Sequence, residues 1–386
     1  NKQGTTVTTL AGAFNNSATG TVNVNNGTLS LTGGGVSTGS FAMASGGTLQ
    51  FGGGTHTLNS ITASGAGTME VSGGTVNLSG GTSTSNFLLS GGTFNANGNF
   101  STGSFSQSGG TLAGTGTTTA TASGSTWTAG AQTGTGTTQF NGSLAISGDG
   151  NKFIGGSRVV NTAGTTTWGG NTGGNNNYNR ILNGGSGGTI NNSGTWNDTN
   201  AFATYIDGGI TFNNTGTYNK QGTTVTTLAG AFNNSASGVV NVNNGTLNIA
   251  SNFSFSGVID VDAGAIFQAS GTTFTNAATG VISGNGSVAT PTSGLSNSGD
   301  INPGSSIGHL TIDGDLQQTL AGVLNFELTS LTSFDLLTVT DDVTLGGEIA
   351  VWNLGYTPTL GDSFKVMTFD DRAGNTFSNL SVNGFG

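Results

Sequence analysis

Cysteine is absent from the 386 residues. No disulfide staples this fold, no thiol chemistry is available, and either redox compartment is open to it. Proline does not occur before Pro291, and then only at Pro303 and Pro358. A proline cannot donate to a strand ladder, so the long proline-free stretch suits unbroken stacked strands. Charge is scarce as well, at 6% of residues, against about 25% in a typical soluble domain. Seven basic residues face 17 acidic ones. No basic patch exists to neutralise phosphates, which excludes a nucleic-acid partner. No apolar run approaches the ~18 residues of a bilayer-spanning helix, so no transmembrane segment is expected. The only histidines are His56 and His309, both expected at a strand or turn surface. They provide no Ser-His-Asp arrangement and no zinc site.

What the chain has in abundance is glycine, 72 residues of it, together with 22 Phe and many Val, Ile and Leu. Disordered chains carry high charge and few aromatics, so this composition argues for a folded chain. Apolar residues come in short alternating bursts between Gly, Asn, Ser and Thr, the punctuation of strands and turns. The sequence also repeats itself. Asn1–Leu31 (NKQGTTVTTLAGAFNNSATGTVNVNNGTLSL) returns almost unchanged at Asn219–Ile249, an offset of 218 residues. A shorter signature, Gly-Thr followed by apolar-any-apolar, opens at Gly20, Gly27, Gly47, Gly67, Gly74, Gly92 and Gly245. Gly27, Gly47 and Gly67 are 20 residues apart; Gly74, Gly92 and Gly110 are 18 apart. Each signature reads as a half-buried strand. The spacing suits one rung of a parallel β-helix, whose inward side chains are buried only when rungs stack. The expected fold is all-β, a parallel β-helix (β-solenoid) rod of roughly 19 rungs spaced about 4.8 Å apart. Asn pairs such as Asn213-Asn214 and Asn233-Asn234 mark turns and are placed to form ladders along the axis.

Texture changes near the end. Residues 1–290 read as the repeats; residues 291–386, with longer and more acidic segments, read as a distinct C-terminal β region, either a cap or a small packed domain. Residues 1–250 are close to neutral, with Lys2, Lys152, Arg158, Arg180 and Lys220 set against Glu70, Asp149, Asp198 and Asp207.

Candidate chemistry is thin. Asp260 with Asp262, Asp313 with Asp315, Asp341 with Asp342, and Asp370 with Asp371 are local carboxylate pairs. An i, i+2 pair on a strand shares one face, but calcium wants six to eight oxygens. Solvated turn charge is the expected role, and no catalytic group, cofactor or metal site is assigned. TTVTT from Thr5 and TTTAT from Thr117 hint at an ice-binding face, yet the motif does not recur at constant rung spacing, and Thr is a common strand residue. Trp127, Trp168, Trp196, Tyr178, Tyr205 and Tyr218 cluster in the middle of the chain. They suit either core stacking or a glycan contact, for which Trp168 and Trp196 are the candidates.

The Gly-Thr strand repeats resemble passenger regions of bacterial autotransporters and related haemagglutinin-like surface proteins. INPGSSIGHLTIDGDL from Ile301, and SFDLLTVTDDVTLGGEIAVWNLGYTPTLGDSFKVMTFD from Ser333, resemble the end-of-passenger segment of such proteins. The resemblance implies a right-handed parallel β-helix exported from a Gram-negative cell, with adhesive or structural work outside it; from the thin candidate chemistry, no enzymatic activity is expected. Asn1 starts in mid-repeat, so the chain is expected to be a trimmed piece of a longer precursor. Its first rung is then an open edge, and an open edge templates pairing with another chain. Axial self-association is expected through Asn1, Lys2, Gln3, Thr5 and Val7, giving a fibre or matrix that supports cohesion. The competing expectations are a monomeric glycan-binding adhesin, a polysaccharide-degrading β-helix enzyme and an ice-binding protein.

Overall fold

The computed structural model describes residues 1–173, 179–374 and 376–384. Tyr178 lies outside them. The described residues contain strands and turns and no helix, and so no helix long and apolar enough to cross a membrane. Two compact units are present. The first comprises 1–195 with 209–211, the second 196–208 with 212–386. Both are parallel β-solenoids, together about 16 turns.

In the first unit three parallel sheets run side by side, each receiving one strand per turn. One contains Gly27–Leu31, Gly47–Phe51 and Thr68–Val71, in a register that pairs Thr28 with Thr48 and Thr68, Leu29 with Leu49 and Met69, and Leu31 with Phe51 and Val71. The 20-residue spacing of the Gly-Thr signature is therefore the turn length itself. The 18-residue series belongs to another sheet, where Thr75 pairs with Thr93 and Thr111, and Val76 with Phe94 and Leu112. Alternate residues point inward, so Leu29, Leu49, Met69, Val76, Phe94 and Leu112 are all buried. The glycine before Thr has a steric reason. Gly74 has φ +63°, and a Cβ there would lie 2.3 Å from the Gly54 carbonyl oxygen of the turn before. Only glycine takes that left-handed conformation without cost while another backbone comes so close.

The second unit repeats the plan. Thr217–Lys220, Val239–Val242, Val258–Val261, Val281–Gly284 and Asp300–Pro303 stack in one parallel sheet. The ladder runs past residue 291 without a break: Ile266–Ala269 pairs with Ser287–Ala289, which pairs with His309–Asp313. Towards the C-terminus the strands lengthen to Val323–Ser330 and Glu348–Asn353, and Val323–Ser330 adds a short antiparallel partner at Ser333–Phe334. The turns are fewer than the expected 19 because many exceed 20 residues. Asn161 and Asn191 are 30 positions apart yet hydrogen-bonded, as are Asn325 and Trp352 at 27.

Two kinds of side-chain column run along the second unit's interior. Phe253 packs against Phe232, Phe255, Phe267 and Phe274 with ring centroids 5.4–5.8 Å apart. At a corner, Asn side chains form the ladder that their pairing in the sequence foreshadows. Asn214 donates to Asn234 (2.9 Å), Asn276 to Asn297 (2.7 Å) and Asn297 to Gln318 (2.8 Å). These bonds satisfy part of the amide groups buried inside the coil, leaving Asn276 Oδ1 and Gln318 Nε2 without a partner among the described residues.

Phe253→Ala removes the ring at the centre of this aromatic column and is expected to lower unfolding stability by about 3–5 kcal/mol. Urea unfolding followed by tryptophan fluorescence checks this through a lower midpoint.

Candidate functional site

One concavity lies on the outer face of the second unit, a cleft of about 740 Å³. Its floor follows from strand register. Asn219, Asn241, Asp260, Ser283 and Asn302 occupy one outward column on successive strands. Neighbours in such a column sit about 4.8 Å apart, close enough for side chains to bond. Asn219 donates to Asn197 and Asn241 to Asn219, each at 2.8 Å; Ser283 donates to Asp260 at 2.6 Å; Asn325 donates to Asn302 at 2.7 Å. At the far end the Trp352 indole N–H donates to the Asn325 amide oxygen at 3.3 Å. Trp352 is 46% exposed.

The wall is a chain reversal after Pro303. Gly304 and Gly284 exchange backbone hydrogen bonds of 2.7 and 3.3 Å. Gly304 has φ +87°, and a Cβ there would meet the Ser306 carbonyl at 2.1 Å. Asp335 closes the base. One of its oxygens accepts from the Gly308 N–H and the other from the Glu327 N–H, both at 2.7 Å. Burial pushes its carboxyl up to about 6, helped by the nearby charge of Glu327 and opposed by the two N–H bonds. Among the described residues the lining carries Asp260, Glu327 and Asp335 and no basic side chain. The INPGSS and SFDLL stretches and the tryptophan of EIAVWNL thus converge on one place, far apart in sequence and adjacent in register.

A second concavity, about 520 Å³, opens on the first turn of the first unit. Asn1, Lys2 and Gln3 line it, with Thr8, Leu10 and Phe14; Thr5 and Val7, also expected at an interface, are exposed but outside the lining. The same sequence at Asn219–Ile249 has the equivalent surface covered. Thr226 is 1%, Leu228 2% and Phe232 2% exposed, whereas Thr8 and Leu10 are exposed and Phe14 is half-buried. The preceding turn does the covering, with Trp196 stacked at 6.5 Å on Tyr218.

Trp168 and Trp196 are not a sugar platform. They are 0% and 1% exposed; both rings point into the coil because they occupy inward positions of Thr165–Trp168 and Thr195–Asp198. Trp127 and Tyr218 are buried in the same way, while Tyr205 is half-buried. His56 is also a correction: it is 2% exposed, packs on Phe51 with ring centroids 4.9 Å apart and bonds to the Gly53 carbonyl at 3.0 Å. Burial holds its pKa below the ordinary value. His309 is exposed and meets the Thr338 hydroxyl at 2.8 Å. Asp262 falls outside Val258–Val261, so it does not share a strand face with Asp260; it accepts from Asn243 at 3.0 Å. No group of three or more His, Cys, Asp or Glu suited to a metal ion occurs among the described residues.

Several of the sparse charges of the repeats lie inside the coil: Lys152, Arg158, Asp198 and Lys220 are buried. Lys152 is caged by the carbonyls of Ser147 (2.6 Å), Gly148 (3.1 Å) and Gly150 (2.7 Å) and by the Asn179 amide oxygen (2.6 Å). Burial pulls its ammonium down to about 7, with nearby Asp149 opposing. Arg158 donates to the Thr133 carbonyl and the Thr138 hydroxyl. Asp198 accepts from Asn200 (2.8 Å), Tyr218 (3.2 Å) and Thr226 (2.5 Å). Burial, and the Asp198 charge and hydrogen bond, push the Tyr218 hydroxyl well above its ordinary pKa. Burial lowers the Lys220 ammonium, and Asp198 opposes that. The only sequence signal for such a role is a charge at an inward position of the alternation, as in TWND and TYNK.

No protein-family model matches the chain, and no curated protein matches it in sequence. The fold and the two concavities carry the functional reading.

Two outcomes follow from these sites. Asp198→Asn leaves Lys220 buried without its counter-charge and is expected to cost about 3–5 kcal/mol; adding Lys220→Met recovers part of the loss in thermal unfolding. Asp335 binds its proton more tightly folded than unfolded. Its contribution is present below its ordinary pKa near 3.8 and is lost as pH rises through about 6. The melting temperature of the wild type should therefore fall relative to Asp335→Asn between those pH values, and stay parallel to it above them.

Proposed function

We propose that the chain is a non-catalytic, extracellular structural β-solenoid at the surface of a Gram-negative bacterium. Copies join head to tail to support cohesion or adhesion. What supports this is the repeat itself: a turn that stacks in register on its neighbour within the chain can stack in the same way on a turn of another copy. Lys220, Thr226, Leu228 and Phe232 sit beneath the preceding turn, whose Asp198 accepts from Tyr218 and Thr226. Lys2, Thr8, Leu10 and Phe14 present the same chemistry around an open cavity.

A second copy supplies a matching surface. Strand Asn379–Asn383 pairs with Glu348–Asn353 on one side, and among the described residues no ladder partner occupies its other side. Leu380 is 64% and Val382 52% exposed there. Asp362, Asp370 and Asp371 belong to the same closing stretch and complement Lys2 in charge. Such a contact is heterologous, and heterologous contacts that do not close give filaments.

The glycan-binding adhesin remains a second reading. It is favoured by the cleft beside Trp352 and not by Trp168 or Trp196.

Sedimentation velocity over a wide concentration range, followed by electron microscopy, tests the first reading. Head-to-tail assembly predicts concentration-dependent growth into filaments, abolished by Leu10→Arg with the melting temperature unchanged. A protein that stays monomeric at high concentration sinks the proposal.

A further inference from the structure

The cleft of the second unit has features that stability does not require. A large ring is left half in solvent: Trp352 is 46% exposed, and its N–H is spent on Asn325. That bond fixes the ring edge and leaves an apolar face beside a row of amides and hydroxyls. An amphipathic ring in this setting fits a ligand with one apolar face and many hydroxyls. The volume of about 740 Å³ lies within the roughly 300–1,000 Å³ of ligand clefts. The polar column supplies donors and acceptors on successive strands, a spacing suited to an extended chain of polar residues rather than a compact molecule.

Charge narrows the ligand further. Asp260, Glu327 and Asp335 line the cleft without a basic side chain among the described lining residues. Asp335 spends both oxygens on backbone N–H groups, and Asp260 accepts from Ser283. An anionic polysaccharide is repelled by such a surface. A ligand bringing its own positive charge gains from it, because the field is met by no protein cation nearby.

We propose that this cleft binds an oligosaccharide bearing free amines, a glucosamine-type polymer, with one sugar stacked on Trp352 and its ammonium groups facing Glu327 and Asp260. This rests on the adhesin reading and specifies its ligand. The amine distinguishes the ligand from neutral glycans of the same length, which offer the same stacking face but no charge.

The test uses the whole 386-residue chain and two probes, a glucosamine hexamer and its fully N-acetylated counterpart, by titration calorimetry at low salt. The glucosamine hexamer is expected to bind more tightly than the acetylated one, with affinity falling as salt rises. Trp352→Ala should weaken it about tenfold. Glu327→Gln, which keeps the shape and removes the charge, should weaken it about threefold for the amine-bearing hexamer alone. The melting temperature of each variant, measured alongside, separates lost binding from lost fold. Failure of both hexamers to bind overturns the proposal together with the adhesin reading. Equal binding of the two, or binding unchanged in Trp352→Ala, overturns the proposal while leaving glycan binding intact.

Discussion

In-register parallel stacking of turns is the constraint on which everything else depends. Each strand satisfies its backbone groups with the strand one turn earlier and one turn later, so side chains at one rung position fall into columns. Many columns hold one kind of chemistry over several turns, while others mix it, as where Phe255 pairs with Asn276 and Gln132 lies between Leu112 and Ile154. Inward columns carry Leu, Met, Val and Phe. The corner column carries Asn214, Asn234, Asn276, Asn297 and Gln318, each amide meeting its neighbour or a nearby backbone group. The Gly-Thr signature marks where one backbone comes so close to the next that a side chain cannot fit. The repeat in the sequence is the footprint of this spacing.

The same constraint explains why the few charges behave as they do. In a repeat so poor in charge, an inward Lys or Asp is expensive unless surrounded by acceptors or donors. Lys152 has its carbonyl cage, and Lys220 has Asp198 nearby. These groups have the perturbed pKa values that often mark active sites, yet they are buried within the coil and line neither of the two large concavities described above. Here perturbed ionisation reflects burial in a narrow core. Outward columns are free of that demand, and the cleft beside Trp352 is where they accumulate carboxylates, amides and an exposed ring.

A good part of this was legible beforehand. Thr28, Thr48 and Thr68 align because their 20-residue spacing equals the turn length, and Asn213-Asn214 with Asn233-Asn234 bond as a ladder. Trp168, Trp196 and His56 were harder to place. Alternation tells that neighbouring residues face opposite sides, but where Thr, Asn and Gly fill both sides it does not tell which is inside. Polar residues sit on either face in this composition, so a tryptophan among them reads equally as core or as surface.

The sequence by itself determined the fold class and the 20- and 18-residue turns of the Gly-Thr repeats, because a periodic chain has few other ways to bury its apolar residues and pair its backbone. Only the tertiary structure decided which face of each strand is inward and which distant residues share a column. Asp260, Asn302, Asn325 and Trp352 are separated by 23 to 42 positions between successive members. Nothing local marks them as neighbours. Their proximity comes from the summed lengths of the intervening turns, and those lengths are set by how each loop packs rather than by the strands themselves.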